Sequence, residues 1–268
     1  MKEKIKWALS VTAISLIGYF KLNSMSVKKD LPEWKLAISK KRVLIVGTGP
    51  SLDKVDKTYF NKFDLIVYVN HAIKILGDRD SLFFTTDVGV LKVITDKEYF
   101  NNILSLGVAK SIVAPIFFQQ SLFLDDEFKN RFTWISPDSA RYHISFKKVN
   151  VWKKLNFYFP MPPVFWPRQP DIHQLDQWFN SVDQVQSFPI VESTSALSAI
   201  LFCAKYEPKS INLIGCDFGG GRATALSSEL HKHPEGFFDA AISKFSVIKE
   251  YLNGRGLVVE NDSWNITR

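Results

Sequence analysis

Four short stretches of the chain carry residue types whose spacing suits chemistry. The first is Gly47-Thr48-Gly49-Pro50-Ser51, which follows the apolar run VLIVG at 43–47. Glycines there let the backbone turn sharply and expose amide hydrogens, and the helix start that follows favours an anion such as a phosphate. The second is Ser193-Thr194-Ser195, three hydroxyls at a helix start. They can cap the helix, or they can join free amides in holding a carboxylate or phosphate. The third is Asp217-Phe218-Gly219, an acid at a strand end beside a glycine loop, where ligands bind in open α/β sheets. The fourth is His231 and His233 in SELHKHPEGFF (228–238). Imidazole titrates near neutral pH, so a histidine in a loop at the rim of a sheet can act as a general base toward a hydroxyl.

Several familiar readings of these stretches fail on inspection. A nicotinamide or flavin site needs a third glycine, where Pro50-Ser51-Leu52 stands, and an acid at the end of the second strand, where Asn70 stands. Asn70 offers neutral donors and acceptors, suited to a different nucleoside. Asp217-Phe218-Gly219 matches the kinase metal-binding triplet, but neither the kinase glycine loop nor its His-Arg-Asp segment is present. The two histidines have no evident third ligand for a metal.

The elements that must position these residues alternate between strand and helix. Runs at 43–47, 64–70 (DLIVYVN), 81–87 (SLFFTTD), 111–118 (SIVAPIFF), 210–218 (SINLIGCDF) and 256–261 (GLVVEN) read as strands. The first is continuously apolar, as for a strand covered on both faces. Pro50 and Ser51 open a short helix or turn, and 193–206 and 237–252 have helical character. The pattern predicts an α/β fold built on a doubly wound, mostly parallel sheet. Residues 119–190 are rich in Phe, Trp and Pro without a clean period and read as an irregular packed insertion.

Composition bounds the rest. Apolar residues make up 46% and charged residues 23% of the 268, the balance of a globular protein. Cys203 and Cys216 each sit in an apolar run, so a reducing cytoplasm fits. The formal charge is +7. Lys2, Lys4, Lys6, Lys21, Lys28 and Lys29 flank WALSVTAISLIGYF (7–20), and Lys40, Lys41 and Arg42 precede the first strand. That distribution suits an anionic membrane surface or an anionic substrate. Nucleic acid is not expected, because no RNA-binding motif, zinc-finger spacing or helix-turn-helix is present. The apolar stretch is shorter than the roughly 20 residues that span a bilayer. Residues 1–29 therefore read as a membrane-associating segment, anchor or interfacial helix, with a buried helix and a cleaved signal as the alternatives, and 30–268 as one domain.

Taken together, the motifs resemble the bacterial sialyltransferases of glycosyltransferase family 42 and related transferases that add Kdo to lipopolysaccharide. Those proteins start with a strand and a Gly-Asn-Gly-Pro-Ser-Leu turn, here Gly47-Thr48-Gly49-Pro50-Ser51-Leu52. A second strand ends in Asn, here Asn70. A Thr-Ser-Gly helix start follows, here Thr194-Ser195-Ala196, then a strand ending in Asp-Phe, here Asp217-Phe218. A lid, a histidine, a helix and a last strand leading to a serine complete the order. His233 has the matching distance to Ser263. The resemblance covers roughly 42–90 and 190–264.

It implies a Rossmann-like, GT-A-like fold and an inverting, metal-independent transfer of sialic acid or Kdo from a CMP-activated donor to a glycan or glycolipid acceptor. His233 would be the catalytic base. Gly47, Thr48, Gly49, Pro50, Ser51, Asn70, Asp87, Thr194, Ser195, Asp217 and Phe218 would line the donor site. Loop 219–236 would be the lid that excludes water. The implied location is the cytoplasmic face of a bacterial inner membrane; a homo-oligomer is left open. The chain differs from the family in Thr48 for Asn, in Ala196 for Gly, and in a lid, GGGRATALSSEL, without tyrosines. Arg222 is the candidate to neutralise the leaving phosphate in their place. TTDV (85–88) is closer to the Kdo-adding relatives. The alternatives are a magnesium-dependent pyrophosphokinase of the pterin type and a non-catalytic, membrane-associated nucleotide-binding protein.

Overall fold

The computed structural model describes residues 31–75, 81–85, 110–113, 132–134, 136–137, 142–145, 148–152, 157–160, 164–167, 175–176, 179–180, 187–188, 194–219, 221–226, 236 and 238–266. His231, His233 and Asp87 lie outside the described residues, as does the segment 1–29. No helix among the described residues is long and apolar enough to cross a membrane.

The chain builds an α/β fold on a seven-stranded parallel sheet with flanking helices. Its strands are β1 (Arg42–Val46), β2 (Leu65–Val69), β3 (Ser81–Thr85), β4 (Lys110–Val113), β5 (Phe132–Trp134), β6 (Ser210–Ile214) and β7 (Val258–Asn261), in the spatial order β7-β6-β1-β2-β3-β4-β5. From β1 the chain steps outward through β2 to β5, then returns to the other side of β1 to lay down β6 and β7. In the register, Val43 faces Leu65 on one side and Ile211 on the other, and Val46 faces Tyr68 and Ile214. At the opposite edge Arg42 donates to Asp64 through its amide and its guanidinium, tying the start of β1 to the residue before β2.

Parallel strands need cover on both faces, and the side chains supply it by alternation. Val43, Ile45, Val67, Leu82, Phe84, Ile211, Leu213 and Val259 point into one apolar layer. Leu44, Val46, Ile66, Tyr68, Phe83 and Ile214 point into the other. The first layer is covered by α3 (Ser195–Ala204) and α4 (Asp239–Gly254), which follow α1 (Leu31–Ile38) and α2 (Lys57–Phe60) in the chain. All ten residues of α3 are buried, as expected of a helix apolar all round. Helix α4 buries only Ala241, Phe245, Ile248 and Leu252, a single stripe at helical spacing. Leu52, Phe63, Ala72 and Ile73, from the short turns after β1 and β2, cover the second layer. The last helix, α5 (Asp262–Ile266), starts directly after β7.

One expectation needs correction. Residues 132–134, inside the stretch read as an irregular insertion, form β5 and extend the main sheet beside β4. Further strands pair within the same stretch, 142–145 with 164–167 and 148–152 with 157–160, both antiparallel. Aromatic residues favour strands, but crowded without alternation they hide the period-2 signal that reveals one.

Candidate functional site at the carboxyl edge of the sheet

In a parallel sheet every strand ends on the same edge, so segments far apart in sequence converge there. β1 runs into Gly47, β2 into Asn70 and β6 into Gly215. The chain changes direction across the sheet between β1 and β6, and the crevice beyond such a switch point is where open α/β sheets bind ligands. Gly47–Ser51 and Gly215–Asp217 lie at that switch point. The end of α3 sits at the opposite edge, where Lys40 donates to the Glu207 carbonyl. The helix therefore begins at the carboxyl edge, with Thr194 as its N-cap accepting from the Ala196 amide at 3.2 Å.

The glycine turn and the end of β6 are fastened to each other. The Gly47 amide donates to the Ile214 carbonyl and the Gly49 amide to the Gly215 carbonyl, at 2.8 and 2.7 Å. A Cβ on Gly47 would lie 2.3 Å from the Gly215 carbonyl oxygen, and one on Gly49 would lie 2.0 Å from Asp217 Oδ2. Gly215 has φ +67°, a conformation side chains disfavour. These glycines thus permit backbone-to-backbone contact. That corrects the expectation of a turn with bare amides: Gly47, Gly49 and Ser51 all donate within the protein. The Thr48 amide is the one in this turn that reaches no acceptor among the described residues.

Ser51 is fully buried and links both segments. Its hydroxyl donates to Asp217 Oδ2 at 2.9 Å and accepts from the Gly215 amide at 3.0 Å, while its own amide reaches the same carboxylate oxygen at 3.3 Å. Burial pushes the Asp217 carboxyl above its ordinary range, and the two Ser51 bonds pull the other way. The backbone around Asp217 is equally accounted for. The Cys216 amide donates to Ser263 Oγ, Asn261 Nδ2 donates to the Cys216 carbonyl, and Trp264 Nε1 donates to the Asp217 carbonyl. β6 has left the sheet here, so side chains from β7 and α5 replace the missing ladder bonds.

Phe218 has φ 53°, strained for a bulky residue. Its ring packs against Phe245 and Trp264 at centroid distances of 5.9 and 6.1 Å. It anchors the bend at Asp217, and its ring belongs to the apolar core on that face of the sheet. Ser51 is an internal tie, buried with its hydroxyl hydrogen engaged by Asp217.

Two further groups face the same edge. Asn70 has φ 54°, tolerated by asparagine, and its Oδ1 accepts from Thr85 Oγ1 at 2.7 Å. That bond fixes the amide so that Nδ2 remains as the donor. The start of the expected lid is docked on the glycine turn. The Ala223 amide donates to the Thr48 carbonyl, Arg222 Nη1 donates to Thr48 Oγ1 at 2.9 Å, and the Thr224 amide and hydroxyl donate to Asp53. Pro50 packs near Gly221, whose added Cβ would meet Pro50 Cγ at 3.2 Å. Ser195 is buried at the first turn of α3.

The Ser51–Asp217, Thr48–Arg222 and Asp53–Thr224 contacts escape sequence reasoning because they join residues 166, 174 and 171 apart. Among the described residues, no three His, Cys, Asp or Glu side chains gather as metal ligands. No protein-family model matches the chain, and no curated protein matches it. Fold and site together define an α/β protein whose glycine turn, β6 end and 222–224 segment are hydrogen-bonded to one another at the switch point.

Proposed function

We propose that this chain is an inverting glycosyltransferase that moves an ulosonic acid, sialic acid or Kdo, from its CMP-activated donor to a lipopolysaccharide or other surface-glycan acceptor. The observation that carries the reading is the convergence of the Gly47–Ser51 turn and the Asp217 strand end at one switch point, in the motif order of the transferases the sequence resembles. In this reading the fold is a Rossmann-like, GT-A-like variant. Asn70 Nδ2 and Asp217 meet the cytidine nucleotide, and the α3 start at Thr194 faces the sugar carboxylate. Asp87 is a further donor contact in this reading.

The acceptor hydroxyl oxygen bonds to the anomeric carbon as that carbon's bond to the phosphate oxygen breaks, and CMP leaves with the electron pair. His233 takes the acceptor proton. The reaction requires no metal or other cofactor. Residues 1–29 hold the enzyme on the anionic cytoplasmic face of the inner membrane, beside lipid-linked acceptors.

The test is a donor panel in EDTA: CMP-sialic acid and CMP-Kdo with a lipooligosaccharide acceptor, reading CMP release. Release from one donor supports the reading and fixes the sugar. No release from either, with magnesium-dependent pyrophosphoryl transfer from ATP to a pterin instead, would replace it with the pyrophosphokinase.

A further inference from the structure

Parallel strands also start on one edge, opposite the candidate site, and the loops leading into β1, β2, β6 and β7 meet there. They gather cations from well-separated parts of the chain: Lys40 and Lys41 before β1, Lys62 before β2, Lys209 before β6 and Arg255 before β7. Neighbouring strands lie about 4.8 Å apart, so the order β7-β6-β1-β2 sets these loops within roughly 15 Å of one another. Backbone bonds hold the array. The Lys40 amide donates to the Glu207 carbonyl at 3.0 Å, the Lys209 amide to the Lys41 carbonyl at 2.8 Å and the Asp64 amide to the Arg42 carbonyl at 2.9 Å. Lys40 and Glu207 both take the left-handed backbone, with φ 60° and 53°, which is uncommon outside glycine. Lys40, Lys62 and Lys209 are exposed, and Lys40, Lys41 and Lys209 have no ion-pair partner among the described residues. The acids beside them offset little of this charge. Asp64 is taken up by Arg42, and Asp176 by Tyr251 and Arg255, which leaves Glu207 among the described residues. The face is also continuous with the N-terminal segment. Residues 1–29 lead through Asp30 into α1, which ends beside Lys40 and exposes Leu36 at 78% next to Lys35. An exposed apolar side chain among lysines suits the headgroup layer of a membrane.

We infer that this amino edge is the face the domain lays on an anionic bilayer, and that it turns the candidate site away from the lipid. The orientation rests on the membrane location proposed above. Each lysine near such a surface adds a modest, salt-screened attraction, so the face alone binds with a dissociation constant on the order of 1 mM. Residues 1–29 are needed to hold the chain at the surface, and the basic edge then sets which way it lies. A strand of five residues, such as β1, rises about 17 Å. The carboxyl edge therefore opens roughly that far above the headgroups. An acceptor sugar within its reach lies out along a surface glycan, not at the lipid.

The experiment is lysine footprinting of the full chain with a water-soluble acetylating reagent, read by mass spectrometry. It is run in solution, with mixed-sequence RNA, and on vesicles of phosphatidylcholine with or without phosphatidylglycerol. On the anionic vesicles Lys40, Lys41, Lys62 and Lys209 should label several-fold more slowly. Lys54, exposed near Asp217 at the other edge, should label as in solution. Replacing the four together (Lys40→Gln, Lys41→Gln, Lys62→Gln and Lys209→Gln) should weaken anionic-vesicle binding about 10- to 100-fold at low salt. The same variant should begin to shield Lys54, because the bound domain no longer has a preferred side. Unchanged labelling of the four lysines on a vesicle-bound chain would overturn the orientation, and slower labelling of Lys54 instead would turn the site toward the lipid. Slowing by RNA but not by vesicles would make the face a nucleic-acid contact and overturn it too. Failure of the full chain to bind the anionic vesicles would remove the membrane location along with it. None of these outcomes bears on CMP release, so the orientation and the transferase reading fail separately.

Discussion

Asp217 shows what a single residue costs and contributes here. Its carboxyl is held above the ordinary range by burial, against the pull of Ser51. The folded protein therefore grips that proton more tightly than the unfolded chain does. By linkage, this makes stability fall as pH rises from the unfolded carboxylate value, about 3.9, through the higher folded one, and then level off. Asp217→Asn keeps an oxygen to accept from Ser51 but removes the titration. Urea unfolding of both proteins between about pH 3.5 and 7 should show the wild type losing ground to the variant as pH rises. A flat difference would mean that the fold leaves the carboxyl unshifted, and one that grows in the wild type's favour that the fold stabilises the carboxylate; either would contradict the effect of burial. At the same scale, sequence showed the acid at a strand end but not its partner. Ser51 lies 166 residues away, and a bond between such distant positions leaves no trace in spacing.

At the scale of elements, the glycine turn works as a joint between β1 and β6. Gly47 sits so close to the Gly215 carbonyl that a methyl group has nowhere to go, since the obstructing atom is backbone and the next is the buried Cys216 sulfur. Gly47→Ala should lower stability by about 1–3 kcal/mol, the cost of forcing atoms into a packed site, and should weaken CMP binding at the same time. Chemical denaturation and CMP titration of the variant check both effects. Unchanged stability would mean that the two strand ends can part freely and that the crevice is not rigid. The strands themselves were legible: β1, β2 and β3 are buried on both faces and so appear as apolar runs. Thr194 was legible as a cap, from the hydroxyl before an apolar run. β5 was not, because the aromatic stretch around it lacks alternation. The closed hydrogen bonding of the glycine turn was not legible either, since Gly-x-Gly serves a phosphate or a close backbone approach equally well.

At the scale of the molecule, a lysine-flanked N-terminal segment precedes the parallel-sheet domain on which all the proposed chemistry is placed. A chain of residues 30–268 should keep CMP binding and turnover with a water-soluble acceptor while no longer sedimenting with anionic vesicles. Loss of turnover with the segment would place residues 1–29 in the catalytic machinery. Retained vesicle binding would move the membrane contact onto the domain. The central claim is metal-independent transfer from a CMP donor with His233 as base. Its most direct test is the rate of CMP release in EDTA by the wild type and by His233→Ala, side by side and with CMP binding measured for both. Release is expected from the wild type, with a fall of about 100-fold or more in the variant, the usual range for a general base, and unchanged CMP affinity. Equal rates in the two proteins would contradict it.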